Sequence, residues 1–200
     1  MARSLDFYFD FSSPYGYLAS TRIDALAGRH GLAATWRPFL LGAVFKLTNT
    51  IPVAAQPMKG DYFRREVPRA ARRLGVPYRL PAQFPFGTVT ACRAFYHVNQ
   101  TDPAGAVRLA KALYAAAFAR GRDICPLEAV GGIAAECGFD PDAIIAGIQD
   151  PAVKELLKHE VDASIRRGVF GSPFIFVDDE PFWGNDRLDE VEAWLSTGGW

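Results

Sequence analysis

The 200-residue sequence has no excess of charge of either sign, because 22 lysines and arginines balance 22 aspartates and glutamates. Nucleic acids and anionic membranes attract basic proteins, so this balance argues against either as a partner. No apolar run approaches the roughly 20 residues that a membrane-spanning helix needs. The first ten residues lack the basic start and long apolar stretch of a signal peptide. These absences predict a soluble cytoplasmic protein.

Cysteine and histidine are scarce, with three of each in the chain. The cysteines are Cys92, Cys125 and Cys137, and the histidines are His30, His97 and His159. The cysteines form no CxxC pair, and no histidine lies near them at the spacing of a metal site. The sequence therefore predicts reduced, buried thiols and no metal centre.

What the chain does have is an aromatic, apolar run from Leu5 to Phe11 that changes at Ser12 into residues at helical spacing. This change predicts a strand that leads into a helix. Pro14 suits the first helical position, where its missing N–H costs nothing, and Ser13 is a good N-cap residue. The positive end of the helix dipole would then lie at the Ser13 hydroxyl and favour an anion there. The simplest alternative is that Ser13 only caps the helix.

The rest of the chain predicts a β-α-β start and a β-β-α end with helices between them. Residues 15–30 have the spacing of a helix and 32–39 that of a strand, and a single helical connection favours parallel strands. Residues 40–60 are predicted to be irregular. Helices are predicted at 61–74, 88–100, 103–120, 127–137, 141–149 and 153–167, strands at 173–177 and 181–183, and a last helix after 184–186. The predicted fold is α/β, with a thioredoxin-like domain at 1–42 and 168–200 and an inserted all-helical domain at 43–167.

Four motifs in this order resemble the 2-hydroxychromene-2-carboxylate isomerases and, more distantly, the kappa-class glutathione transferases, both relatives of the disulfide-forming DsbA proteins. They are FYFDFSSPYGYLA at 7–19, KGDYF at 59–63, VFGSPFIFV at 169–177 and FWGNDRL at 182–188. The resemblance covers nearly the whole chain and implies a glutathione-binding thioredoxin fold. Where thiol oxidoreductase relatives carry a CxxC pair, this chain has Ser13-Pro14-Tyr15-Gly16. Disulfide exchange at this site is excluded because both sulfurs are missing.

The resemblance implies that glutathione is a cofactor and that Ser13 activates it. A hydrogen bond from the Ser13 hydroxyl and the nearby helix N-terminus would both lower the pKa of the cofactor thiol from roughly 8.5. A shift of about one to two pKa units corresponds to about 1.4 to 2.7 kcal/mol. In this interpretation the sulfur is the nucleophile and Ser13 stabilises its negative charge.

Two C-terminal segments are implied to bind the same cofactor. Ser172-Pro173 matches a cis-proline position, where the Ser172 backbone would pair with the cysteinyl backbone of glutathione. The alternative there is an ordinary trans proline. Trp183-Gly184-Asn185-Asp186 matches a second glutathione segment, in which Asp186 would accept the γ-glutamyl ammonium and Gly184 and Asn185 would donate to its carboxylate. Simple capping by Asn185 or Asp186 is compatible with this role.

Residues 43–84 contribute the remaining implied contacts. Asn49 and Lys59 match positions that hold the tripeptide in the kappa relatives. Lys46 would pair with the carboxylate of the second substrate, a small aromatic acid. Phe84 would stack on that substrate, although the isomerases carry a tyrosine at this position and its hydroxyl contact is lost here.

The implied activity is a glutathione-dependent isomerisation of 2-hydroxychromene-2-carboxylate to trans-o-hydroxybenzylidenepyruvate, as in the breakdown of naphthalene. The relatives also suggest a homodimer. Three alternatives remain: a kappa-like transferase that releases a glutathione conjugate, an isomerase for another conjugated ketoacid, and a non-catalytic binding module of thioredoxin fold.

Overall fold

A four-stranded mixed sheet lies at the centre of the computed structural model, which describes residues 3–200. The strands are β1 (Leu5–Phe9), β2 (Ala34–Pro38), β3 (Phe174–Val177) and β4 (Glu180–Trp183), in the order β2-β1-β3-β4. β1 pairs in parallel with β2 and antiparallel with β3, and β3 and β4 form an antiparallel hairpin. The predicted β-α-β start and β-β-α end therefore meet in one sheet.

Ten α-helices are present in residues 3–200. They are α1 (Pro14–Ser20), α2 (Ile23–Arg29), α3 (Leu41–Thr48), α4 (Lys59–Arg73), α5 (Val89–Asn99), α6 (Pro103–Phe118), α7 (Leu127–Glu136), α8 (Pro141–Gln149), α9 (Pro151–Arg166) and α10 (Leu188–Thr197). Short 3-10 turns at Val53–Ala55 and Asn185–Arg187 precede α4 and α10. Helices α3 to α9 all lie between β2 and β3 in the chain.

Two predicted elements were wrong. The single helix over 15–30 is split into α1 and α2 at Thr21, whose side-chain hydroxyl donates to the Leu18 carbonyl at 2.7 Å and so competes with the helical backbone bonds. The segment 40–60, predicted to be irregular, contains α3. Its prolines begin only at Pro52, and α3 ends at Asn49, which adopts the left-handed conformation (φ 51°) that terminates helices.

The core forms around β1, whose five residues are all buried. Phe7 and Phe9 pack edge-on against Trp36 of β2, with ring centroids 5.0 and 5.3 Å apart. On the other face, buried Asp6 accepts a hydrogen bond from Arg37 at 2.8 Å and another from Arg167 at 2.5 Å. Because two positively charged guanidinium groups donate hydrogen bonds to it, the Asp6 carboxylate is tolerated inside the protein. β1 is thereby fixed at the centre of the sheet, and its C-terminal end carries the site described below.

The cysteines are only partly as predicted, since Cys92 is buried but Cys125 and Cys137 are half-buried. Residues 3–200 contain no cluster of three or more His, Cys, Asp or Glu side chains able to hold a metal ion. Within the same residues, no helix has the length and apolar character required to cross a bilayer.

Candidate active site

Ser13 lies in the short connection between β1 and α1, and it is the N-cap of α1 as predicted. Its backbone is extended (φ −90°, ψ 111°), and Oγ accepts a hydrogen bond from the Gly16 N–H at 3.0 Å. The same Oγ donates to the Ser172 carbonyl at 2.7 Å. Pro14 occupies the first helical turn. The hydroxyl is therefore held at the positive end of a helix dipole by contacts with two segments of the chain.

The Ser172–Pro173 peptide bond is cis, which confirms that prediction. The Ser172 Oγ accepts from the Asp10 N–H at 2.9 Å, so this loop is tied to the end of β1 as well as to Ser13. Gly16 makes the close approach possible: a Cβ there would lie 2.5 Å from the Tyr114 hydroxyl and 2.9 Å from the Ser172 Oγ. Any side chain at position 16 would force these partners apart.

Asp10 is a buried carboxylate that sequence reasoning did not single out. Its Oδ1 accepts from the N–H and the hydroxyl of Ser12, both at 2.7 Å. Its Oδ2 accepts from the Leu41 N–H at 2.7 Å and from the Thr88 hydroxyl at 3.3 Å. Burial raises the pKa of Asp10 above its usual value, and these hydrogen bonds oppose part of that rise. One side chain thus holds together the starts of three helices around the site.

A cavity of about 1080 Å³ opens in front of Ser13. Pockets for single small ligands span roughly 300 to 1,000 Å³, so there is room for more than one ligand. Of the predicted site residues, the cavity brings together Ser13, Phe84, Ser172, Trp183, Gly184, Asn185 and Asp186. Pro173 is buried directly behind Ser172. Lys46, Asn49 and Lys59 are exposed and are not among the lining residues.

The segment Trp183 to Asp186 forms one side of the cavity. Trp183 is half exposed and packs edge-on against Phe170, with ring centroids 4.9 Å apart. Asn185 is buried, and its side-chain Oδ1 has no hydrogen-bond partner among the described residues. A buried acceptor without a donor is energetically unfavourable, so this atom is suited to a donor supplied by a ligand. Asp186 is exposed, and its Oδ2 lies 3.3 Å from the Nη2 of Arg187.

Helix α4 forms the side of the cavity that sequence reasoning missed. Tyr62, Glu66, Arg69 and Arg73 all line it, at spacings that place them on one helical face. The Tyr15 hydroxyl donates to Glu66 Oε2 at 2.8 Å. Burial, and then this bond to Glu66, raise the pKa of Tyr15 well above its usual value, so the phenol stays protonated. Arg69 donates to the Tyr62 hydroxyl at 3.2 Å, and within residues 3–200 neither Arg69 nor Arg73 has a carboxylate within 4.0 Å.

Aromatic rings line the space between α1 and α4. Phe63 and Phe84 stack with centroids 5.8 Å apart, Tyr15 meets Phe63 edge-on at 6.1 Å, and Phe86 meets Phe84 edge-on at 6.1 Å. A flat aromatic ligand would find both ring faces and ring edges here. Phe84 belongs to this aromatic group and lines the cavity.

Comparison with known proteins gives consistent matches along the chain. The family model for the DSBA-like thioredoxin domain matches residues 4–196. A 2-hydroxychromene-2-carboxylate isomerase of Sphingobium xenophagum is 34% identical over 98% of this chain and 99% of its own length. Glutathione S-transferase kappa 1 of Rattus norvegicus is 26% identical over 99% of this chain and 92% of its own. The solved structure of a 2-hydroxychromene-2-carboxylate isomerase superposes with a TM-score of 0.87 at 29% identity, covering 96% of this chain and 94% of that chain. These matches confirm the predicted fold class.

Proposed function

Because this chain belongs to the DSBA-like thioredoxin domain family and, within it, to the 2-hydroxychromene-2-carboxylate isomerases, it is an isomerase, and we propose the reaction and cofactor that it uses. The reaction is the interconversion of 2-hydroxychromene-2-carboxylate and trans-o-hydroxybenzylidenepyruvate, and the cofactor is glutathione. The observation that carries the proposal is the Ser13 hydroxyl at the N-terminus of α1, at the edge of a cavity large enough for two ligands.

The residues around Ser13 fit a tripeptide thiol. Among residues 3–200, the Ser172 N–H has no hydrogen-bond partner, and it is available to a peptide carbonyl beside the cis-proline. The unpartnered Oδ1 of buried Asn185 is suited to the γ-glutamyl ammonium, a use of Asn185 different from the donor role expected from the sequence. The relatives named kappa glutathione transferases support the same cofactor. When bound, glutathione would supply a thiolate that adds reversibly to the conjugated double bond of the substrate, so that this bond can rotate.

The chain's own residues stabilise charge and orient the substrate. Ser13 and the N-terminus of α1 favour the ionised form of the thiol, since both interact better with a negative sulfur than with a neutral one. Phe63 and Phe84 supply the stacking surface for the aromatic ring. Arg69 and Arg73 line the same cavity and place positive charge within it for the substrate carboxylate.

Several expectations from the sequence stay proposals. Lys46 as a carboxylate partner, and Asn49 and Lys59 as glutathione contacts, are not supported by the cavity lining: their side chains are exposed and do not line it, although Phe45 and Val53 nearby do. The division into residues 1–42 with 168–200 and an inserted domain at 43–167, the homodimer and the cytoplasmic location also remain proposals.

A kappa-like transferase is the second candidate, because the kappa relatives match 92 to 99% of this chain and the thiol would be activated in the same way. The two functions differ in the product. Mass spectrometry after incubation with the chromene acid and glutathione should find the isomer and unchanged glutathione. A stable conjugate as the main product would favour the transferase.

The test of the proposed function is the pH dependence of kcat/KM in wild type and Ser13→Ala, with and without glutathione. The rate should rise with pH as the thiol ionises. Ser13→Ala removes the hydroxyl but leaves the helix N-terminus, so the midpoint of this rise should move up by about one pKa unit and the rate at pH 7 should fall by up to about 10-fold. Ser12→Ala removes a neighbouring hydroxyl that is bound to Asp10, and it should shift the midpoint far less. A wild type that needs no glutathione, or a Ser13→Ala enzyme with an unchanged profile, would overturn the proposal.

A further inference from the structure

Glu66 is the one carboxylate of α4 that lines the cavity, and the proposed charge stabilisation by Ser13 gives it no role. It is half-buried and lies on the α4 face one turn after Phe63, beside the stacked pair of Phe63 and Phe84. Its Oε2 is fixed by the Tyr15 hydroxyl at 2.8 Å. Its Oε1 has no hydrogen-bond partner within residues 3–200. A carboxylate with one oxygen fixed and the other available is prepared for proton transfer.

The chromene acid needs such a transfer before its double bond can rotate. The substrate is a cyclic hemiketal, in which the ring holds the double bond in the cis arrangement. Opening the ring removes a proton from the 2-hydroxyl and adds one to the phenol oxygen. Ser13 cannot do this, because it is placed to stabilise a sulfur and its hydroxyl is a very weak acid and base. A second group near the aromatic ring that takes and returns a proton would accelerate this step.

We propose that Glu66 opens and closes the hemiketal ring by moving this proton, an inference that rests on the proposed function. The Glu66 carboxylate takes the proton of the 2-hydroxyl, and the electron pair of that O–H bond forms the C2 carbonyl. The bond between C2 and the ring oxygen breaks, and its electron pair stays on the phenol oxygen. Glu66 then returns the proton to that oxygen. No electrons are gained or lost overall, and no other reactant is consumed.

The surroundings of Glu66 suit this role. Tyr15 remains protonated, so it donates steadily to Oε2 and acts as a positioning residue for the carboxylate. Arg69 and Arg73 follow Glu66 by three and seven residues on the same helical face, and both line the cavity. Their positive charges offset the repulsion between the Glu66 carboxylate and a substrate that is itself an acid.

The test compares two substrates in wild type, Glu66→Gln and Glu66→Asp. One substrate is the chromene acid, and the other is a cis-benzylidenepyruvate without the ortho hydroxyl, which has no ring to open. Glu66→Gln should slow the chromene acid about 100-fold or more while leaving the open-chain substrate within about threefold of wild type. Glu66→Asp keeps the carboxylate and should recover part of the lost rate. Tyr15→Phe should lower the chromene rate less than Glu66→Gln does and leave the open-chain rate unchanged.

Two further outcomes separate this inference from the proposed function. Calorimetry should give Glu66→Gln the same affinity for glutathione as wild type within about twofold, because Glu66 is assigned to the substrate and not to the cofactor. Equal slowing of both substrates, or of neither, would overturn the role of Glu66 while leaving that of Ser13 intact. If Ser13→Ala isomerises the open-chain substrate at the wild-type rate, the proposed function itself fails.

Discussion

Two sides of the same cavity are built in opposite ways. The junction wall, made of Asp10, Ser12, Ser13 and Ser172 with Gly16 packed behind it, is mostly buried, and almost every polar atom in it has an intramolecular partner. The α4 wall, made of Tyr62, Glu66, Arg69 and Arg73, is more exposed. Within residues 3–200 its side-chain hydrogen bonds are those from Tyr15 to Glu66 and from Arg69 to Tyr62. A fixed hydroxyl suits the proposed stabilisation of a sulfur, whereas adjustable charged side chains suit the recognition of one particular substrate.

The largest effect should come from removing the carboxylate that organises the junction wall. Asp10→Ala leaves the N–H groups of Ser12 and Leu41 and the hydroxyl of Thr88 without their acceptor. At about 1 to 3 kcal/mol for each buried group left unpaired, the loss of unfolding free energy should be about 3 kcal/mol or more. Urea unfolding measures it, and a loss below about 1 kcal/mol would show that the junction wall is not held by Asp10.

The same variant gives a pH dependence of known sign. Because burial raises the pKa of folded Asp10, the folded protein binds this proton more tightly than the unfolded chain, whose value is near 3.8. The contribution of Asp10 to the unfolding free energy is therefore largest below the pKa of Asp10 in the unfolded chain. It decreases as the pH rises through the pKa of Asp10 in the folded protein. The difference in unfolding free energy between wild type and Asp10→Ala should be larger at pH 3 than at pH 7. The opposite trend would mean that the hydrogen bonds, not burial, dominate.

A somewhat smaller effect is expected at Gly16. A methyl group there would meet the Tyr114 hydroxyl and the Ser172 Oγ, and overpacking of this kind costs about 1 to 3 kcal/mol. Gly28 of α2 is the matched control, since a Cβ there meets nothing within 4 Å. Gly28→Ala should be neutral or stabilise by up to about 1 kcal/mol. Thermal unfolding of the two variants side by side tests how tightly the junction wall is packed.

The smallest effect is expected on the α4 wall. Arg73→Gln should raise the KM for the chromene acid by about two- to fivefold and leave the KM for glutathione unchanged, because an exposed charge contributes little. Lys46→Gln, which removes a charge outside the cavity, should change neither. If Lys46→Gln raises the KM for the acid and Arg73→Gln does not, the sequence-based role of Lys46 is right and the α4 wall is not a carboxylate site.

The difference between the walls also explains what could be predicted from the sequence. The change from strand to helix, the N-cap at Ser13 and its proline are local features with strong residue preferences, and the structure has them. The cis bond at Pro173 was expected only from the family resemblance, because most X-Pro bonds are trans. Asp10 contacts Leu41 and Thr88, which lie 31 and 78 positions away in the sequence, and no local sequence pattern predicts such contacts.

On the α4 wall, too, the sequence predicted the backbone element but not the directions of its side chains. The helical pattern at 61–74 predicted α4 itself, which runs from Lys59 to Arg73. It did not predict which charged residues face the cavity, because α4 carries five arginines and their orientation depends on how the helix packs. That packing uses Gly60, where a Cβ would lie 2.6 Å from the Ala54 carbonyl oxygen. The spacing of Phe63 and Glu66 by three residues was the one available signal, since it places both on the same face of α4. That this face borders the cavity is known only from the contact of Glu66 with Tyr15 in the structure.

The Ser13 hydroxyl has a single hydrogen, and here it is given to the Ser172 carbonyl. A ligand whose own amide N–H bonds to that carbonyl competes for it and sets the serine free to turn toward the neighbouring sulfur. We therefore expect small thiols without a peptide amide, such as 2-mercaptoethanol, to leave the serine in its resting orientation and to be poor substitutes. The enzyme would then select among thiols by recognising the amide next to the sulfur, and not the sulfur itself.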